Sequence, residues 1–148
     1  MKKVTAILAS IFLALGVTSA HAVSKVTISP QNKVSKKNPV ITIKISGMPT
    51  ANGLYISQCM APKVAGGVPT ACNPSPASKL WVSGLPADQQ MGAKSPTGKL
   101  TIKVDKYFKD GDCVHTKCII YVSNDHNASN DRSEDKFIPF KFDGLLPF

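Results

Sequence analysis

An all-β fold, a seven-stranded immunoglobulin-like β-sandwich, is what this sequence predicts. Three observations carry that expectation. Segment after segment alternates apolar and polar residues with a period of two. Turn-forming Gly, Pro, Asn and Asp residues separate those segments at short intervals. Beyond the N-terminal leader, no window sustains a helical period. A 43% apolar composition suits a packed globule rather than a disordered chain.

The strands follow in order. Lys25-Val-Thr-Ile-Ser29 alternates. Val40-Ile-Thr-Ile-Lys-Ile-Ser46 does so more strongly, with Ile41, Ile43 and Ile45 on the apolar face. In Gly53-Leu-Tyr-Ile-Ser-Gln-Cys59, Leu54, Ile56 and Gln58 share one face, and Tyr55 and Ser57 the other. Leu80-Trp-Val-Ser83 is a short strand. Lys99-Leu-Thr-Ile-Lys-Val-Asp105 turns Leu100, Ile102 and Val104 inward. Cys118-Ile-Ile-Tyr-Val-Ser123 is apolar throughout, as a central strand would be. Lys136-Phe-Ile-Pro-Phe-Lys-Phe142 contains Pro139, which cannot donate to a ladder, so it is expected at an edge or a bulge. Pro30, Lys37-Asn-Pro39, Gly66-Gly67, Pro96 to Gly98 and Asp110-Gly111 mark turns between them.

The leader places the protein. Met1-Lys-Lys3 is basic, residues 5–17 form an apolar stretch, and Ala20-His21-Ala22 is a small-residue cleavage site. Residues 1–22 are therefore expected to be a signal peptide cut after Ala22, leaving residues 23–148 as one secreted, extracellular domain. The apolar stretch is short for a membrane span of about 20 residues. The mature chain of about 126 residues is one domain's worth.

Removing Lys2 and Lys3 takes the formal charge from +9 to +7. The lysines are dispersed and Arg132 is the one arginine, which is not the composition of a sequence-specific DNA reader. A basic secreted surface of this kind suits anionic cell-envelope polymer, or weak salt-sensitive nucleic-acid contact.

The chain has 4 cysteines. In an exported domain an even count favours disulfides over thiols or zinc, and the wide Cys59 to Cys72 interval does not suit a zinc site. Four cysteines allow three pairings. The local one would join Cys59 to Cys72 and Cys113 to Cys118, and sequence alone does not choose.

Taken in order, several segments resemble the neocarzinostatin family of apoproteins. They are Val26-Thr-Ile-Ser-Pro30, Gly53-Leu-Tyr-Ile-Ser-Gln-Cys59, Ala71-Cys-Asn-Pro74, Leu100-Thr-Ile-Lys-Val104, Asp112-Cys113 with Cys118, and Ser123-Asn124. The resemblance implies a seven-stranded sandwich with disulfides Cys59–Cys72 and Cys113–Cys118. It also implies a non-enzymatic, secreted carrier that holds an enediyne chromophore in a cleft beside the sandwich. An antibiotic role and any contact with DNA would come through that ligand. The surviving cleft positions are Gln58 and Ser123. Ala61 stands where the family commonly has tryptophan, and Ser75-Pro76-Ala77 where it has phenylalanine. The ribbon Tyr107 to Asp112 is shortened, and the chain is basic where members are often acidic.

The ligand-binding residues expected are Gln58, Met60, Phe108, Tyr121 and Ser123. Val64, Val68, Trp81 and Tyr107 are further apolar candidates for the cleft wall. Against this, Trp81 and Tyr121 lie on strands, where sandwich core is the plainer expectation. The expected occupant is a small apolar ligand, a non-covalent chromophore rather than a cofactor, on a monomeric protein. The alternative is an Ig-like surface or adhesion module that meets cell-envelope polymer or a protein partner through its basic surface. An open cleft of about 300 Å³ or more discriminates in favour of the carrier.

No metal site is expected. His115 and His126 have no cluster of methionines around them for copper. Asp125-x-Asn127-x-Ser129-x-Asp131 imitates a calcium loop, but Asn130 replaces its glycine and Lys136 its final glutamate, so an Asn/Asp-rich turn is expected. No hydrolase, metalloprotease or phosphate-loop signature is present, and no enzyme is expected. The carboxylate pairs Asp110/Asp112 and Glu134/Asp135 read as solvated turn acids.

Overall fold

The computed structural model describes residues 23–145. The expected signal peptide and the last three residues lie outside that range. Within it are β1 (Lys25–Ser29), β2 (Val40–Ser46), β3 (Leu54–Met60) and β4 (Lys79–Val82), then helix α1 (Pro86–Gln90), β5 (Leu100–Lys103), β6 (Tyr107–Phe108), β7 (Gly111–Asp112), β8 (Cys118–Asn124) and β9 (Lys136–Phe140). Seven of these strands make two antiparallel sheets, β1-β2-β5 and β4-β3-β8-β9, and β6-β7 is a separate ribbon. The two-sheet reading of the sequence holds.

Strand parity fills the space between the sheets. Ile28 pairs with Ile43, and Ile41 with Ile102, in one sheet. Leu54 pairs with Val82, and Ile56 with Val122, in the other. Val34, Ile41, Leu54, Ile56, Val82, Val104, Ile120 and Val122 are fully buried. Each such aliphatic side chain contributes about 1.5–3 kcal/mol by leaving water. β8 is central, between β3 and β9, as its unbroken apolar run requires. Pro139 lies on the edge strand β9, where a missing N–H breaks no ladder bond.

Lys141 to Asp143 close one side of the sandwich. Val34 N–H donates to Lys141 O at 3.1 Å, and Lys141 N–H donates to Gln31 O at 2.9 Å. The β1–β2 connection is thereby sewn to the end of the chain. On the other side, α1 was not legible in the sequence. Five residues carry no period, but Pro86 begins the helix and Ser83 Oγ donates to Asp88 Oδ2 at 2.6 Å.

Two glycines are required by contact. A Cβ on Gly53 would lie 2.7 Å from both Asp125 Oδ2 and Val82 O. One on Gly111 would lie 2.1 Å from the Phe108 ring across the ribbon.

One expectation about turn acids is corrected. Glu134 is buried, not solvated, because three groups compensate its charge. Ser24 N–H donates to both Glu134 carboxylate oxygens at 3.0 Å, Ser24 Oγ donates to Oε2, and Lys136 Nζ stands 2.8 Å away. Burial opposes ionisation, but the bonds from Lys136 and Ser24 outweigh it and hold the carboxyl below its ordinary value. A depressed carboxyl stabilises the fold above its unfolded-state pKa, and that stability is lost as pH falls through the folded-state value. Glu134→Gln is therefore expected to cost about 1–2 kcal/mol at neutral pH. Melting curves taken from neutral to strongly acidic pH should show the gap from wild type narrowing as pH falls. A gap constant with pH would rule out the charged contact.

Candidate functional site

The outer face of the four-stranded sheet carries an aromatic shelf. β3 turns Tyr55, Ser57 and Cys59 outward, because Leu54, Ile56 and Gln58 take the inward positions. Register sets Trp81 and Ser123 on either side of Tyr55, Tyr121 beside Ser57, and Phe137 beside Tyr121. Trp81 and Tyr121 thus face away from the sandwich core, which corrects the expectation that they pack inside it. Leu80-Trp-Val and Ile-Ile-Tyr-Val are apolar at every position, so their parity could not be read in the sequence.

Asp125 organises one end of this shelf. It is fully buried at the end of β8. Its Oδ2 accepts from Gly53 N–H at 2.9 Å and from Trp81 Nε1–H at 3.0 Å, and its Oδ1 caps a short 3₁₀ turn by accepting from Asn127 N–H at 3.0 Å. The calcium-like run is therefore an Asx-capped turn, as its residues suggested. That turn presents His126, whose ring meets Trp81 edge-on at 5.2 Å and whose Nδ1 is hydrogen-bonded to the Tyr55 hydroxyl at 2.7 Å.

At the other end the Cys59–Cys72 disulfide lays a loop beside the sheet. β3 runs beyond the end of β4, and residues 71–73 take the vacant place. Met60 N–H donates to Ala71 O, and Asn73 N–H to Gln58 O, each at 2.8 Å. Cys59 and Cys72 are directly opposed, with Cα atoms 3.9 Å apart. Residues 61–70 leave and return through this staple and bring Val68 to the cleft.

A cavity of about 530 Å³ lies between the loop, the shelf and the 3₁₀ turn. Tyr55, Val68, Tyr121 and Ser123 form its floor and wall, and His126, Arg132 and Asp135 supply its polar edge. Arg132 Nε donates to Asp135 Oδ2 at 2.7 Å. Burial, then the adjacent Asp135 carboxylate, push the Tyr121 hydroxyl up to about 12, against a smaller opposing effect of Arg132. Tyr121 thus stays a neutral donor across the physiological range. An alkaline spectrophotometric titration of wild type against Tyr121→Phe should assign the missing phenolate step to about pH 12. A step near the ordinary phenol value would overturn that placement.

A second cavity of about 610 Å³ opens on the far part of the stapled loop, lined by Met60, Ala61, Thr70, Ala71, Asp110 and Thr116 among others. Ala61 is one of its walls. Met60 Sδ accepts from Asp112 N–H at 3.3 Å, so it is held by the base of the ribbon. The ribbon continues into the Cys113–Cys118 disulfide. Within its turn, Asp112 is hydrogen-bonded to His115 at 2.8 Å, and that bond holds the Asp112 carboxyl below its ordinary value.

The five expected ligand residues are thus separated. Tyr121 and Ser123 share the 530 Å³ cavity, while Met60 lines the 610 Å³ one. Phe108 is part-buried, packs against the core and lines neither of them. Gln58 is fully buried. Its Nε2 donates to Asp105 O at 2.6 Å and to Cys113 Sγ at 3.2 Å, and its Oε1 accepts from Asn73 Nδ2 at 2.8 Å and Asp105 N–H at 2.9 Å. It joins both disulfide-bearing segments to the end of β5. Sequence reasoning missed Tyr55, His126, Arg132 and Asp135. For Tyr55 a signal existed, since parity puts this aromatic opposite the Leu54–Ile56 face.

Among solved structures, macromomycin superposes with a TM-score of 0.51 over 80% of this chain and 98% of its own, at 18% sequence identity. The chain has a macromomycin-like fold. No protein-family model matches the sequence, and no curated protein matches it. The likeness in fold thus stands at 18% sequence identity.

Proposed function

We propose that the protein is an exported, non-enzymatic carrier that holds a small, largely apolar molecule on the outer face of the four-stranded sheet. The observation that carries this reading is the 530 Å³ cleft, floored by Tyr55 and Tyr121 and walled by a disulfide-closed loop. Its size falls within the range of small-molecule sites, and its mix of aromatic floor and sparse polar groups is that of a binding surface. Ser123, the Tyr121 hydroxyl and Arg132 give a ligand fixed points for hydrogen bonding. Met60 and Ala61 line the separate 610 Å³ cavity. Gln58 and Phe108 act behind the surface, by fixing the ribbon and the end of β5. Both disulfides are formed, which suits an oxidising, extracellular setting. The molecule held is cargo, and any action on DNA would belong to it.

Native mass spectrometry of the protein from its own culture medium, with a denatured control, tests the reading. A small molecule released on denaturation is the expected result, and Tyr121→Ala should reduce its retention by about tenfold. Bare chain in every preparation, together with no response of the Trp81 emission to any planar aromatic compound, would overturn it.

A further inference from the structure

The outer face of the other sheet is a second interaction surface. β1 turns Lys25, Thr27 and Ser29 outward, β2 turns Val40, Thr42, Lys44 and Ser46 outward, and β5 with its leading residue turns Lys99, Thr101 and Lys103 outward. Register makes these rows. Thr27 stands beside Lys44, and Ser29 and Thr101 flank Thr42. All four lysines are exposed, and among the described residues none of them forms an ion pair.

No carboxylate interrupts this face. The first acidic residue of the whole chain is Asp88. The others lie in the ribbon, after β5 and β9, and in the turn that follows β8, and Asp105 is drawn inward to Asn73 at 2.9 Å. The four lysines of this face therefore stand with no acid among them, although the chain's other cations are dispersed. Strands about 4.8 Å apart, with outward residues about 6.8 Å apart along each, make this a grid of cations and hydroxyls with Val40 as its one apolar member.

We propose that this face docks a linear anionic glycan, a polysaccharide carrying carboxylate, sulfate or phosphate groups. The lysines supply unneutralised positive charge, and the serine and threonine hydroxyls between them match sugar hydroxyls. The face has no aromatic side chain to stack nucleobases and no arginine to read them. It has no projecting large apolar group to enter a bilayer. The glycan is thus favoured over nucleic acid or an anionic membrane, and the face is independent of the cleft on the opposite sheet.

The test measures binding to heparin, polygalacturonate, neutral dextran, a thymidine oligonucleotide and phosphatidylglycerol vesicles. Heparin and polygalacturonate separate sulfate from carboxylate recognition. The variant Lys25→Gln/Lys44→Gln/Lys99→Gln/Lys103→Gln is compared with Lys63→Gln/Lys79→Gln/Lys94→Gln/Lys109→Gln, which removes the same charge elsewhere. The expected result is binding to at least one anionic glycan that weakens more than about tenfold between roughly 50 and 200 mM salt. The face variant should lose about tenfold or more, and the control variant less than about threefold. Lys44→Glu alone, a single exposed change, should weaken binding in the same direction. Equal losses in both fourfold variants, tighter binding to the oligonucleotide or the vesicles, or no glycan binding at low salt would each overturn the proposal.

Discussion

Replacing Cys59 and Cys72 together with serine is expected to lower stability by about 3 kcal/mol and to abolish ligand retention. The stability figure follows from the 13-residue separation that the bridge closes, because an uncut loop of that size regains its entropy in the unfolded chain. The second effect follows from position. The bridge holds residues 71–73 against the overhanging end of β3, and through them it sets Val68 at the cleft. Without it, the two backbone hydrogen bonds from Met60 and Asn73, and those of the Asn73 side chain to Gln58 and Asp105, remain to hold residues 71–73, but the covalent closure of residues 61–70 is lost. Denaturant unfolding followed by Trp81 emission checks the first part, and native mass spectrometry the second. A folded variant that kept its ligand would show that the stapled loop is not part of the site.

Gln58→Leu is expected to cost about 2–4 kcal/mol, a large effect for a nearly isosteric change. The site is fully buried, and the amide meets four partners there. Leucine would fill the volume but leave Asp105 N–H without an acceptor and Asn73 Nδ2 with Asp105 Oδ2 alone. Unpaired buried polar groups are what makes such a substitution costly. The cost should appear in denaturant unfolding with an unchanged denaturant slope. A loss under about 0.5 kcal/mol would mean that the network contributes little to the fold.

The alternation of Ile41, Ile43 and Ile45, and of Leu100, Ile102 and Val104, made the three-stranded sheet legible. That sheet is covered on one face only, so each residue declares its side. The four-stranded sheet is covered in part on both faces. Ile119 and Cys59 point outward and are nonetheless buried, beside the stapled segment. Hence β8 reads as continuously apolar, and the faces of Tyr121 and Trp81 are hidden in the sequence. Gln58 shows the converse. Its parity with Leu54 and Ile56 announced an inward polar residue, although its sequence context pointed to a ligand. The cleft itself was the least legible part. Its floor comes from β3 and β8, its wall from residues 61–70 and its edge from residues 126–135, joined only by the register of distant strands.

The contact between Ser24 and Glu134 has a consequence for how this molecule comes into being. The two residues are 110 positions apart, and one grips the other at the very start of the first strand. While the chain is being made, that grip has no second hand until the ninth strand is about to emerge. Strand β1 can pair with β2 early, but Ser24 at its leading edge is fastened only once Glu134 is present. A product broken off before Glu134 keeps the β1–β2 ladder but lacks the carboxylate that holds Ser24, so its leading residues should fray and be trimmed more readily than those of a finished copy.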